Sequence, residues 1–205
     1  MTNPLQNRVT PFGEIIAVPS RGALMGNRGG RMHDPQTRRL TNRRWASKQW
    51  ISCRLNFKGR QRKVMGAGYT ELFFLDEATA LAAGHRPCFE CRRKDAVWFV
   101  DCWADGAGPR PRAGEMDRVL HRERLDGRLQ RRCDAACETL PPGVIIALED
   151  GAYLLGDEAM RRWSPAGYGA PVRRAKGVVS VLTPPSIVRA LVAGYAPIIA
   201  EPDPA

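Results

Sequence analysis

Ala80-Leu81-Ala82-Ala83-Gly84-His85-Arg86-Pro87-Cys88-Phe89-Glu90-Cys91 packs a helix ending, a turn and a pair of cysteines into one short run. Glycine takes the left-handed conformation after the last helical turn, an aromatic packs back, and proline blocks continuation. The same stop recurs in Ala190-Leu191-Val192-Ala193-Gly194-Tyr195-Ala196-Pro197. We read the echo as shared local physics and not as a duplication. Because Tyr195 stands where His85 does, His85 reads as a packed aromatic and not as a ligand.

Working outward, Asp76 should cap a short helix over Glu77–Ala83, after an aromatic strand over Thr70–Leu75. A second helix should start near Arg92, with Ala96, Val100 and Trp103 on one face. Gly106–Gly114 reads as a loop, and Met116, Val119 and Leu120 mark a further helix ending near Gly127. Residues 143–163 read as a β-meander and Val178–Leu182 as another strand. Thr183 then caps a last helix with Pro184 at its first position. Toward the N-terminus, Ile15–Val18 reads as a strand and residues 21–44 as an irregular Gly/Arg segment. Residues 48–65 read as a hairpin, with Ile51, Cys53, Leu55 and Phe57 on the inner face. Its outer face mixes Trp50 and Arg54 with Arg60 or Arg62. The expected class is α+β. A basic, zinc-supported module with a β-hairpin and short helices (1–104) precedes an antiparallel β-meander with flanking helices (115–205), and the two can share one core.

The chain has 205 residues and a net charge of +11. Residues 1–65 hold 14 Lys and Arg against 2 Asp and Glu, so the whole excess lies in the first third. Of the 32 basic residues 27 are Arg, whose planar fork suits phosphate. Localised positive charge is the electrostatic footprint of polyanion binding. The expected contacts are Arg43, Arg44, Lys48, Arg54, Arg92, Arg93 and Lys94, with Trp50 stacking on a base. No run approaches the ~20 apolar residues of a membrane span. Residues 1–8 lack the apolar core of a signal peptide. The expectation is a cytoplasmic protein without a membrane partner, in which disulfides are disfavoured.

In such a compartment, cysteines two residues apart serve metal binding or redox chemistry. A thioredoxin-like pair follows a strand and opens a helix. Here the pair follows a helix stop, which favours a metal, zinc first. A structural site needs about four ligands, so Cys88 and Cys91 need partners. Candidates are Cys53, equally at home as a core residue; Cys133 with Cys137; and His33 or His121. Spacing does not choose among them. A metal-dependent nuclease is the enzymatic rival, with His33-Asp34 or His121 and Glu123 as base or ligands. No phosphate-binding P-loop or serine-nucleophile elbow is present.

Phe73-Phe74-Leu75-Asp76-Glu77-Ala78, Ala82-Ala83-Gly84-His85-Arg86-Pro87-Cys88 and Cys91-Arg92 together resemble the metal-binding module of the Ada-type DNA alkylation-response proteins. The similarity covers about residues 48–94. It implies zinc, DNA as partner in preference to RNA, and a link to DNA damage or repair. In that family a C-R-x-x-C pair completes the zinc site, and its first cysteine accepts a methyl group. Cys53-Arg54 matches the first cysteine and its arginine, but Phe57 stands in place of the second. The resemblance therefore implies Cys53 as third ligand and leaves the fourth open, with His33 the first choice and His121 the next. Alkyl acceptance is an enzymatic alternative, and a protein–protein adaptor with structural zinc is another.

Overall fold

The computed structural model describes residues 3–61, 63–107 and 109–200. It is a mixed α+β protein built on two six-stranded sheets. The first sheet contains β1 (Gln6–Val9), β2 (Ile15–Ala17), β3 (Leu24–Arg28), β4 (Trp50–Arg54), β5 (Leu72–Phe74) and β6 (Arg86–Pro87), in spatial order β2-β1-β5-β3-β4-β6. The helix α1 (Glu77–Ala82) joins β5 to β6. Then follow α2 (Arg93–Ala107), α3 (Ala113–Arg124) and a two-stranded ribbon of β7 (Leu125–Asp126) and β8 (Leu129–Gln130). The second sheet comprises β9 (Cys133–Ala136), β10 (Ile145–Leu148), β11 (Gly151–Leu155), β12 (Ala159–Ser164), β13 (Gly167–Arg173) and β14 (Val178–Val181). Its order is β13-β12-β11-β10-β14-β9, and α4 (Pro185–Val192) follows.

The second sheet explains its own sequence. Strand side chains alternate between faces. Ile146, Tyr153, Leu155 and Val181 point to one core, with Phe99, Trp103, Met116, Leu120 and Ile187 from the helices. Ile145, Ala147, Ala152 and Leu154 point to the other, with Leu75, Ala78 and Ala82. A strand covered on both faces needs no polar side, hence the unbroken Ile145-Ile146-Ala147-Leu148.

Helix α1 lies between the two sheets. Ala78 and Ala82 face the second sheet, while Ala80 and Ala83 pack with Leu24, Leu72 and Phe74 of the first. All six residues of α1 are buried, and the faces turned to the sheets carry alanines, which let the helix approach both closely. Asp76 caps it by accepting from the Thr79 N–H (2.9 Å). Ala82→Leu should therefore lower stability by ~1–3 kcal/mol through overpacking. A shift in the urea midpoint at constant slope would register it.

The stop after α1 has the expected geometry. Gly84 has φ +78°, and the His85 N–H donates to the Ala80 carbonyl (2.8 Å). Gly194 has φ +101°, and Tyr195 donates to Ala190 (3.0 Å) in the same way.

Four expectations need correction. Residues 48–65 do not form a hairpin: β4 pairs with β3 antiparallel and with β6 in parallel. Of the anticipated return strand 61–65, Arg62 lies outside the described residues and the rest is turn or irregular. Residues 21–44 are not irregular throughout, since Leu24–Arg28 is a central strand. A Cβ on Gly26 would meet the Ile51 carbonyl oxygen at 2.2 Å, so glycine there is what lets β3 and β4 come together. Third, α3 ends at Arg124, not near Gly127, which turns the β7–β8 ribbon. Finally, Thr183 does not cap α4. Its hydroxyl accepts from the Ile145 N–H (3.0 Å), and Pro184 occupies the cap. The divide placed between 104 and 115 is bridged by packing, because Leu81, Phe99 and Val100 share a core with Ile146 and Val181.

Candidate metal centre

The parallel pairing of β6 with β4 builds the site. Ile51 lies opposite Arg86 and Ser52 opposite Pro87. The Cys88 N–H continues the ladder by donating to the Ser52 carbonyl (3.0 Å), which places Cys88 beside Cys53. A tight turn follows, closed by the Arg92 N–H on the Cys88 carbonyl (3.0 Å), and returns Cys91 to the same spot. The three sulfur atoms lie within 4.8 Å of one another, and all three residues are buried. Met25, Ile51 and Phe57 pack around them.

Three buried thiols at this spacing could hold a metal ion. Thiols of Cys53 and then Cys91 donate to the Cys88 sulfur, with backbone N–H groups of Cys91 and Glu90 behind them. These donors hold the Cys88 pKa far below the usual thiol range. Cys53 is pushed the opposite way, first by its hydrogen bond to Cys88, then by that to Cys91 and by burial. All six cysteines are free.

The knuckle is braced from behind by charge. Arg86 grips Asp117 of α3 through two 2.9 Å bonds, both side chains buried. Arg92 meets Glu77 at 2.7 Å, each 1% exposed, and reaches the Ser52 hydroxyl at 3.0 Å. The two-pronged Arg86–Asp117 pair fixes orientation as well as charge.

The thiols line a cavity of about 570 Å³. Its floor is one face of the first sheet, where Ile51 and Cys53 of β4 lie beside Met25 and Asn27 of β3 and then Phe73 of β5 and Glu71 just before it. Phe57, Tyr69, Arg54 and Arg60 complete the wall and rim.

His33 is not a ligand in this arrangement. Its Nε2–H donates to the Gly66 carbonyl (2.8 Å), leaving Nδ1 to accept from the Thr70 hydroxyl (2.6 Å). Both nitrogens thereby tie the loop after β3 to the segment before β5. His121 also lies outside the sulfur group, edge-on to Trp45 at 5.4 Å, with Nδ1 3.2 Å from Arg124. Cys137 is buried in the main core and Cys133 packs against it. His85, wholly buried, sits between Trp50 (5.0 Å) and Phe74 (4.7 Å), as a packed aromatic should.

Two of the expected nucleic-acid contacts are interior. Trp50 is 2% exposed, with Arg28 over its ring at 4.1 Å and Arg124 at 3.8 Å. Its aromatic face is already engaged by cations, so it does not stack on a base. Burial presses both guanidinium pKa values down, and neighbouring cations add to it: Arg44 for Arg28, and Arg28 for Arg124. Arg92 is likewise buried, for its ion pair with Glu77. Arg43, Lys48, Arg54, Arg93 and Lys94 are exposed and Arg44 is half-buried. They lie on three segments, and Arg54 is the one that lines the cavity. Asn27 and Glu71 were not singled out from the sequence. The available signal was a carboxylate alternating with aromatics in Tyr69-Thr70-Glu71-Leu72-Phe73-Phe74.

Among the described residues, no helix is long and apolar enough to cross a membrane. Compared with protein-family models, curated proteins and solved structures, the chain finds no match in any of the three.

Proposed function

We propose that this chain is a zinc-thiolate protein that binds nucleic acid, DNA in preference to RNA. The observation that carries the reading is the set of three buried cysteines on the wall of a cavity whose rim holds exposed arginines. Cys53, Cys88 and Cys91 would hold the ion, and soft sulfur donors suit zinc. Free thiols accord with a reducing cytoplasm. The resemblance to the Ada-type module supports DNA as the partner and a role in DNA damage or repair. Phe57 packs on the cysteines, where that module has its fourth ligand. Phosphates would be met by exposed cations of the chain before β4, Arg31, Arg38, Arg39, Arg43 and Lys48, by Arg54 at the end of β4 and by Lys58 beyond it.

Each neutralised phosphate releases counterion, so affinity should fall steeply with salt. Six such contacts correspond to a loss of about a thousandfold between about 50 and 200 mM salt. Fluorescence anisotropy with labelled DNA and RNA measures this. Arg43→Glu with Lys48→Glu should flatten the slope. Weak binding that ignores salt would overturn the reading.

A second reading is a metal-assisted enzyme acting on nucleic acid, as a nuclease or as an alkyl acceptor. Structural zinc sites are closed by four protein ligands, whereas catalytic sites keep one position open. Three cysteines facing a cavity favour the open kind. Strand cleavage, or the mass gain of one methyl group on Cys53, would select it. Retained metal without any nucleic-acid binding would point to a protein adaptor instead.

A further inference from the structure

We propose that the cavity beside the three cysteines is a subsite for one unstacked purine of a single strand, guanine before all others. The proposal rests on the nucleic-acid reading above and names what the cavity selects.

The floor of the cavity is ordered by strand register. Met25 lies opposite both Cys53 and Phe73, so these three side chains form one row across β4, β3 and β5. Asn27 lies opposite Ile51, and continuing the β3–β5 register by one step sets Glu71 on its other side. The sulfur donors thus stand at one end of the floor and a carboxylate stands at the other. At about 570 Å³ the space falls within the ~300–1,000 Å³ of small-ligand sites.

Glu71 is 3% exposed, and one of its oxygens accepts from the Met65 N–H (2.8 Å), which fixes the side chain in the wall. An ionised carboxylate can only accept, so a ligand facing it must bring N–H groups. Guanine carries adjacent N–H donors on one edge and the acceptors N7 and O6 on the opposite edge. Its donor edge suits Glu71. Its ring nitrogen N7 is of the kind that suits zinc, and it would face the sulfur end. Cytosine and adenine pair their amino donor with a ring acceptor, which would point at the carboxylate. Thymine offers one N–H between two carbonyls.

The walls fit a planar ring. Phe57, Tyr69 and Phe73 are half-buried aromatics on the cavity. Arg8 lies over the Phe73 ring (4.7 Å) and Lys58 and Arg60 over that of Phe57 (5.1 and 5.5 Å), so a base would stack on the opposite face of either ring. At the rim Arg60 already pairs with Glu90 (2.6 Å). The exposed Arg54 beside it is the cation to meet the phosphate next to the held base.

The test uses the full chain loaded with zinc and single-stranded oligothymidylates carrying one central guanine, adenine or cytosine, or none. Anisotropy at fixed low salt gives the four affinities. The guanine strand should bind about tenfold more tightly than the others, the discrimination of one good two-pronged base contact. Glu71→Gln should erase that preference, read as the ratio of its affinities for the guanine strand and for plain oligothymidylate. Phe73→Leu should weaken binding of the strands that place a base in the cavity, and most of all the guanine strand. Circular dichroism confirms that each variant is folded. Equal affinity for all four strands, or a guanine preference untouched in both variants, would overturn the proposal while the nucleic-acid reading stands. No binding to any strand would overturn both.

Discussion

Glu77→Ala should destabilise the protein by about 3–5 kcal/mol, the cost of breaking a buried ion pair by removing one partner. Glu77 opens α1 and is almost fully buried against Arg92 at 2.7 Å. The same carboxylate accepts from the Tyr195 hydroxyl (2.6 Å) and the Ile198 N–H (3.0 Å). Deleting it strands a guanidinium and two further donors in the interior. Asp95, at 2.8 Å from Arg92, retains part of the compensation, which places the loss nearer the lower end. Glu77→Gln keeps the shape and the acceptor oxygen and should cost less. Urea unfolding with unchanged slope gives the difference. A loss below about 1 kcal/mol for Glu77→Ala, typical of exposed pairs, would contradict the buried geometry. Arg92 directly follows Cys91 and holds the Ser52 hydroxyl, so the variant should also weaken metal retention.

Chelation should produce the second large effect. The three cysteines join β4 to the turn between β6 and α2, so an ion held there stabilises the folded form by mass action. With metal about a hundredfold above its dissociation constant the gain is about 2.7 kcal/mol. For a chain of this size that is a fall of roughly 5–10 °C in Tm when the metal is stripped. The main cores should survive, because the residues of the helices and the second sheet pack without the cysteines. Tm measured with and without chelator decides it, and identical values would show that no ion contributes.

The α1 stop, α2, the meander and the Cys88–Cys91 knuckle are local features, and the sequence carries them. Hydrophobic periodicity, a capping aspartate and a glycine before proline each act within a few residues. What escaped is non-local. The parallel pairing of β6 with β4 joins segments more than thirty residues apart and leaves no turn signal. The central strand β3 hides in a Gly- and Arg-rich run because Gly26 is there for close approach, not for flexibility. Trp50 and Arg54 share a strand face by period, but Arg28 and Arg124 arrive from elsewhere to enclose Trp50. His33 looked available because a histidine in a polar segment shows no partner in sequence. Thr70 and Gly66, distant along the chain, take both of its nitrogens. Glu71 is silent in the sequence for the converse reason: a carboxylate in an aromatic strand acquires meaning only beside the cavity.

Metal content of the purified chain and its single-site variants tests the central claim most directly. Mass spectrometry under native conditions should find one zinc per chain. Cys53→Ala, Cys88→Ala and Cys91→Ala should each lose it or hold it far more weakly, while His33→Ala and Cys133→Ala, if folded, should retain it. Zinc that survives Cys53→Ala, or a wild-type chain that takes up none, would contradict the account.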